Sequence, residues 1–182
     1  MDFPGAPPTP LFIHTFTRWG AVRDVSGIIG SISPVSLTWP VANTAFYVPV
    51  WLQWPYNVER VFWINGSSVT SANTDFGIYN SDGTRIYSTG SIAQVGVSAF
   101  QYTTPSPDFI LSPGRYYFAL ACSSITANRG TTGSVAGSTA RLRLSGFLQE
   151  ASALPLPATM TPVAVTNPCM PLCGVTRTTT GF

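Results

Sequence analysis

The chain has 182 residues and a mass of 19.4 kDa, the size of one domain or of one domain with arms. Its 9 basic and 7 acidic residues are only 9% of the sequence, against about 25% in an ordinary globular protein, and a net charge of +2 gives no reason to expect nucleic acid as a partner. Every basic residue is arginine, which excludes a Walker-type phosphate loop, Schiff-base chemistry and kinase chemistry, and the single histidine, His14, leaves little room for a Ser-His-Asp or Cys-His centre.

The N-terminus opens as polyproline-like chain through Pro4, Pro7, Pro8 and Pro10. It lacks a basic segment followed by an apolar one, so synthesis in a cytoplasm without export is expected. Residues 25–58 and 151–176 carry no charge. A membrane span needs about 20 apolar residues. Pro34, Pro40, Pro49 and Pro55 interrupt the first stretch, and Pro155, Pro157, Pro162, Pro168 and Pro171 the second, so neither is expected to span a membrane. Such stretches need a protein surface to lie on.

Helical periodicity is nearly absent, whereas strand signals recur from about residue 44 to residue 148. Thr44–Leu52 is aromatic and β-branched, with Pro49 marking an edge or a bulge. Residues 56–64 follow, with Val61 and Trp63 on one face and Val58, Arg60, Phe62 and Ile64 on the other. In residues 76–89, Asp82-Gly83 suits a tight hairpin turn, and a two-residue loop pairs Tyr79 with Ile86 and Ile78 with Tyr87. Residues 93–104 read as a strand ended by Pro105 and Pro107.

Residues 115–121 read as a central strand, with Tyr116, Phe118 and Leu120 opposite Tyr117, Ala119 and Ala121. Residues 123–140 form a loop of small residues, and 141–148 alternate as a strand with Leu142, Leu144 and Leu148 inward. Short strands separated by turn signals predict an all-β fold, an antiparallel β-sandwich of jelly-roll type over residues 44–150. Residues 1–43 then form an extended N-terminal arm and lead-in, and 151–182 an extended Pro/Thr-rich C-terminal arm. Arms of this composition build no core of their own, so a neighbouring subunit is expected to hold them.

Few residues offer a site. Cys169 and Cys173 are spaced as C-x3-C, and with Cys122 and His14 they make a nominal zinc set. A buried apolar Cys122 and a possible Cys169–Cys173 disulfide, or free thiols, fit better. Asp75 and Asp82 flank a hairpin strand where they would help to hold Ca²⁺, but no EF-hand-like ligand series accompanies them. Asn65-Gly66-Ser67 fits the glycosylation sequon, which matters only with secretion, and Gly130-Thr131-Thr132-Gly133 lacks the strand-to-helix context of a phosphate loop. Trp19, Trp39, Trp51, Trp54 and Trp63 crowd the first 63 residues; Trp39, Trp51 and Trp54 are candidate glycan-stacking or interface aromatics. No catalytic residue, cofactor or metal is expected.

Five segments carry a family resemblance: Val61-Phe62-Trp63-Ile64-Asn65-Gly66, Asp75-Phe76-Gly77-Ile78-Tyr79, Ser81-Asp82-Gly83-Thr84-Arg85, Ser88-Thr89-Gly90-Ser91, and Leu111-Ser112-Pro113-Gly114-Arg115-Tyr116-Tyr117-Phe118-Ala119-Leu120. Together they resemble a β-sandwich module of tailed-bacteriophage virion proteins. The resemblance implies a non-enzymatic structural protein of the virion, made in the host cytoplasm. Such a protein decorates or cements the head, or joins head and tail. Its partners would be capsid, portal or tail subunits and further copies of itself, with no direct contact to nucleic acid or membrane. The alternative is a carbohydrate-binding tail or fibre module that recognises a host glycan.

Overall fold

The computed structural model describes residues 12–14, 35–131 and 139–177. In chain order the elements are β1 (Phe12–His14), β2 (Val35–Thr38), β3 (Thr44–Leu52), β4 (Tyr56–Val58), β5 (Arg60–Ile64), β6 (Asn73–Asn80), β7 (Arg85–Ser88) and β8 (Ile92–Ala93). There follow β9 (Phe100–Thr103), β10 (Phe109–Leu111), β11 (Gly114–Cys122), β12 (Asn128–Thr131), α1 (Thr139–Leu144), β13 (Leu148–Glu150), β14 (Val163–Ala164) and β15 (Cys173–Thr176). The larger sheet has the order β14-β13-β3-β11-β6-β7, with β8 also on β6; the smaller has the order β1-β15-β5-β9. The pairs β4–β10 and β2–β12 complete an all-antiparallel, sandwich-like fold.

The centre of the larger sheet follows from alternation in β11, which pairs with β3 on one side and β6 on the other. Tyr116, Phe118, Leu120 and Cys122 join Phe46, Val48, Val50 and Leu52 of β3 and Phe76 and Ile78 of β6 in the main core. Val61 and Trp63 of β5 and Cys173 and Val175 of β15 share that core. Each large apolar side chain buried there contributes about 1.5–3 kcal/mol. Edge-on aromatic pairs, Trp39–Phe46 at 5.1 Å and Phe76–Phe118 at 5.8 Å, fix its packing. Pro49 is tolerated because β13 reaches only Ala45, Phe46 and Tyr47 of β3, so among the described residues this part of β3 has β11 as its one neighbour in the sheet.

The opposite face of the larger sheet corrects the arm expectation. Ala45, Tyr47, Tyr79, Tyr117, Ala119 and Ala121 form a second core under Ala153, Leu154, Leu156 and Met160 of the same chain. The proline-rich backbone is satisfied locally: Tyr79 donates to the Pro157 carbonyl at 2.7 Å, and the Leu156 amide donates to Asp75 at 2.9 Å. The Arg85 amide donates to the Ala158 carbonyl at 2.8 Å, and the Arg85 guanidinium to the Leu156 carbonyl. A Cβ on Gly77 would stand 2.7 Å from Leu156 Cδ1, so glycine lets the segment lie close. The chain then supplies β15 between β1 and β5. Residues 151–177 thus belong to the domain, and no neighbouring subunit is needed to hold them. Residues 12–14 of the expected N-terminal arm likewise add a strand beside β15. The polyproline-like segment 1–10, Trp19, Thr132, Gly133 and the end from residue 178 lie outside the described residues.

Five local expectations change. Residues 56–64 are not one strand: β4 pairs with β10, whereas β5 lies between β15 and β9 in another sheet. The hairpin closes with three loop residues, Ser81, Asp82 and Gly83, because Asn80 donates to the Thr84 carbonyl at 3.0 Å. Ile78 pairs with Tyr87 as expected, but Tyr79 pairs with Arg85, leaving Ile86 in a bulge. Residues 93–104 are not one strand: β8 and β9 are separated by a loop with positive φ at Gly96 (83°) and Ser98 (50°). Residues 123–140 are not only loop, since Asn128–Thr131 pairs with Val35–Thr38.

Residues 139–144 are helical rather than extended: Leu142 is buried while Leu144 is 89% exposed. Gly146, at φ 76°, ends α1; its amide donates to Arg143 at 2.8 Å and that of Phe147 to Leu142 at 3.0 Å. That is a Schellman cap with its usual hydrophobic contact, since Leu142 and Phe147 share the main core.

Gly83 has φ 90°, and a Cβ there would meet Met160 Cγ at 3.0 Å. Gly83→Val is therefore expected to cost on the order of 1 kcal/mol or more. Urea unfolding would check this as a lowered midpoint at an unchanged slope.

Candidate functional site

The sandwich leaves large apolar side chains uncovered near the β3–β4 turn. Val50 and Leu52 point into the main core, so alternation puts Trp51 on the outer face, where it is 67% exposed. The covering segment buries Tyr47 and Tyr79 but leaves Trp51 open. Trp54, in the following turn, is 41% exposed, and Ile110, which pairs with Asn57, is 68% exposed. Directly across from Trp51 stands Arg115 of β11. Its guanidinium donates from Nη2 to the Tyr117 hydroxyl at 2.6 Å and lies 5.1 Å from the centre of the Tyr117 ring.

Trp39 does not belong with Trp51 and Trp54. It is buried against Phe46, and its indole N–H donates to the Thr44 carbonyl at 3.0 Å. A buried tryptophan needs a partner for that N–H, and the strand start at Thr44 supplies it.

Cys122, Cys169 and Cys173 are buried free thiols in the main core, and no Cys169–Cys173 bridge is formed. Burial, and secondarily the neighbouring Cys122, push the Cys169 thiol up to about 12. Burial also raises the Cys173 thiol, with Cys169 adding to it. His14 lies opposite Gly174 in the β1–β15 ladder. Among the described residues no group of three or more His, Cys, Asp or Glu is placed to hold a metal ion.

Asp75 and Asp82 do separate structural work. Asp75 accepts from Ser88 Oγ at 2.8 Å, Thr89 Oγ1 at 3.1 Å and the Leu156 amide. Asp82 accepts the Thr84 amide at 2.8 Å within the hairpin turn, a bond that lowers its pKa below the ordinary value. Asn65 is buried, donating to the Val95 carbonyl at 2.6 Å and to Gln101 at 3.0 Å, so its amide is not presented for glycosylation.

One polar residue escaped sequence reasoning. Arg129 is fully buried and donates to Thr74 Oγ1, to the Asn128 carbonyl at 3.2 Å, to Asn65 Oδ1 at 3.5 Å and to Cys122 Sγ at 3.2 Å. Burial lowers its pKa from the ordinary arginine value, and Cys122 opposes that shift. In sequence it is an arginine in a run of small residues, with no periodicity to mark a strand. The arrangement ties β12 to β6 and β11.

The buried phenols and thiols set an alkaline limit. Burial raises Tyr47, Tyr56, Tyr79, Cys169 and Cys173 above their ordinary values. The unfolded chain therefore loses these protons first, at about pH 8.5 for thiols and about pH 10 for phenols. Their contribution is complete below those values and is lost as pH rises towards the folded ones. The guanidinium midpoint is expected to be flat from about pH 6 to pH 8 and to fall above about pH 9. A thiol reagent at neutral pH should label Cys169 and Cys173 only after unfolding.

No protein-family model matches the chain, and no curated protein sequence matches it either. The class defined by the structure is an all-β, sandwich-like domain with exposed aromatic side chains at one turn.

Proposed function

We propose that this chain is a non-enzymatic structural protein of a tailed-bacteriophage particle. It would decorate or cement the head, or join head and tail, by docking its sandwich on capsid, portal or tail subunits and on further copies of itself. The observation that carries this reading is the exposure of Trp51, Trp54 and Ile110 on a sandwich whose larger sheet is otherwise covered on both faces. With 9 basic and 7 acidic residues in the whole chain, attachment rests on apolar burial rather than ion pairs. Aromatic side chains held on a rigid sheet are what protein interfaces use as anchors. The C-terminal segment covers its own domain, so the docking role falls to the sandwich surface and not to that arm.

The test is quantitative mass spectrometry of gradient-purified particles. The chain should co-sediment in a fixed ratio to the capsid lattice or to the symmetric portal and tail axis. Its absence from intact particles would overturn the proposal.

The exposure of Trp51 beside Arg115 also favours a second reading, a carbohydrate-binding tail or fibre module that adsorbs the particle to a host glycan. Retention of the isolated protein on a glycan array would support that role.

A further inference from the structure

We propose that Trp51 and Arg115 form a shallow site for a carboxylate-bearing sugar, of the uronic or sialic acid class; this rests on the glycan-binding reading. The two residues are register partners on neighbouring strands, Trp51 on β3 and Arg115 on β11. Partners of this kind have Cβ atoms about 4.5–5.5 Å apart and share one face of the sheet. On that face the chain buries its own Ala45, Tyr47 and Tyr79 but stops short of Trp51. The exposed indole is a flat apolar surface on which the C–H face of a pyranose ring stacks.

Arg115 adds charge and direction. Its Nη2 bond to the Tyr117 hydroxyl and its position over the Tyr117 ring hold the guanidinium in one place. Holding it before binding reduces the ordering cost that a ligand would otherwise meet. Among the described residues no carboxylate pairs with it. Asp82, in the hairpin beyond Asn80, the register partner of Tyr116, accepts from Thr84; Asp75 and Glu150 lie at the other end of the sheet, by Ala121 and Ala45. A planar guanidinium lacking an acid matches a carboxylate in charge and in fork geometry. One ring face beside one guanidinium therefore matches a single acidic sugar unit.

The probes are a galacturonate oligosaccharide, sialyl-lactose, the matching neutral galactose oligosaccharide and a glutamate peptide. Each is titrated into the full-length protein and followed by tryptophan fluorescence and calorimetry. An acidic sugar should bind at least about tenfold more tightly than the neutral one, and Trp51→Ala and Arg115→Gln should each weaken it by about tenfold or more. Both side chains are exposed, and a melting curve matching the parent protein would confirm that each variant is folded. Equal affinity for neutral and acidic sugars, with loss in Trp51→Ala, would overturn the carboxylate assignment and leave the glycan reading standing. Equal binding of the glutamate peptide would show a general anion site and overturn the sugar assignment. If neither acidic sugar binds, the inference falls, while the glycan reading is decided by the array and the structural proposal is untouched.

Discussion

A chain ending at Glu150 is expected to have no cooperative fold. The cut removes β15, which lies between β1 and β5 in the smaller sheet. It also takes Val165, Cys169, Met170, Leu172, Cys173 and Val175 out of the main core, and Ala153 and Leu156 off the outer face of the larger sheet. The larger of these side chains contribute about 1.5–3 kcal/mol each. Their sum reaches the whole stability of a typical domain, about 5–15 kcal/mol. Urea unfolding followed by circular dichroism should show no sigmoidal transition for the truncated chain. A transition like that of the full-length protein would show that residues 151–177 are an appendage after all.

The second large effect is expected at Asp75. This buried carboxylate ties the β6–β7 hairpin, through Ser88 and Thr89, to the covering segment, through the Leu156 amide. Asp75→Ala takes the acceptor from the buried Leu156 amide and from the half-buried Ser88 and Thr89 hydroxyls, and a buried donor left unsatisfied costs about 1–3 kcal/mol. Asp75→Asn keeps an acceptor oxygen and should cost less. Denaturant midpoints of the two variants would order them, and an Asp75→Ala midpoint equal to the parent would show that the segment is held by its apolar contacts alone.

The parts of the fold legible in the sequence are those specified locally. β11 was readable because each of its two faces meets its own core, so Tyr116, Phe118 and Leu120 separate cleanly from Tyr117, Ala119 and Ala121. Asp82-Gly83 marked the hairpin, although loop length, and so the bulge at Ile86, depends on where Asn80 and Thr84 bond. Helix α1 was missed because alternate leucines over so short a run suit either element; the deciding residue is Gly146, whose positive φ caps the helix.

Residues 151–177 were misread for a different reason. Their polar backbone is satisfied by Tyr79 and Asp75, about 80 residues earlier in the chain. No local pattern announces such a partner. The same limit applies to Arg129, whose neighbours Asn65, Thr74 and Cys122 come from separate segments. Of the candidate aromatics, Trp51 and Trp54 are exposed and Trp39 is not. The difference between Trp39 and Trp51 is one of surroundings: Trp39 has Phe46 and the Thr44 carbonyl to pack on, whereas the cover over β3 ends before Trp51.

On the proposed reading, the sandwich is held in a particle by apolar contacts through its exposed aromatic turn. Washing purified particles in molar salt and quantifying the retained chain tests it most directly, because exposed ion pairs are screened by salt and apolar burial is not weakened by it. The parent protein should stay bound while a Trp51→Ala, Trp54→Ala double variant is under-incorporated or washed away. Release of the parent protein by salt alone would contradict it and assign the attachment to the scattered arginines.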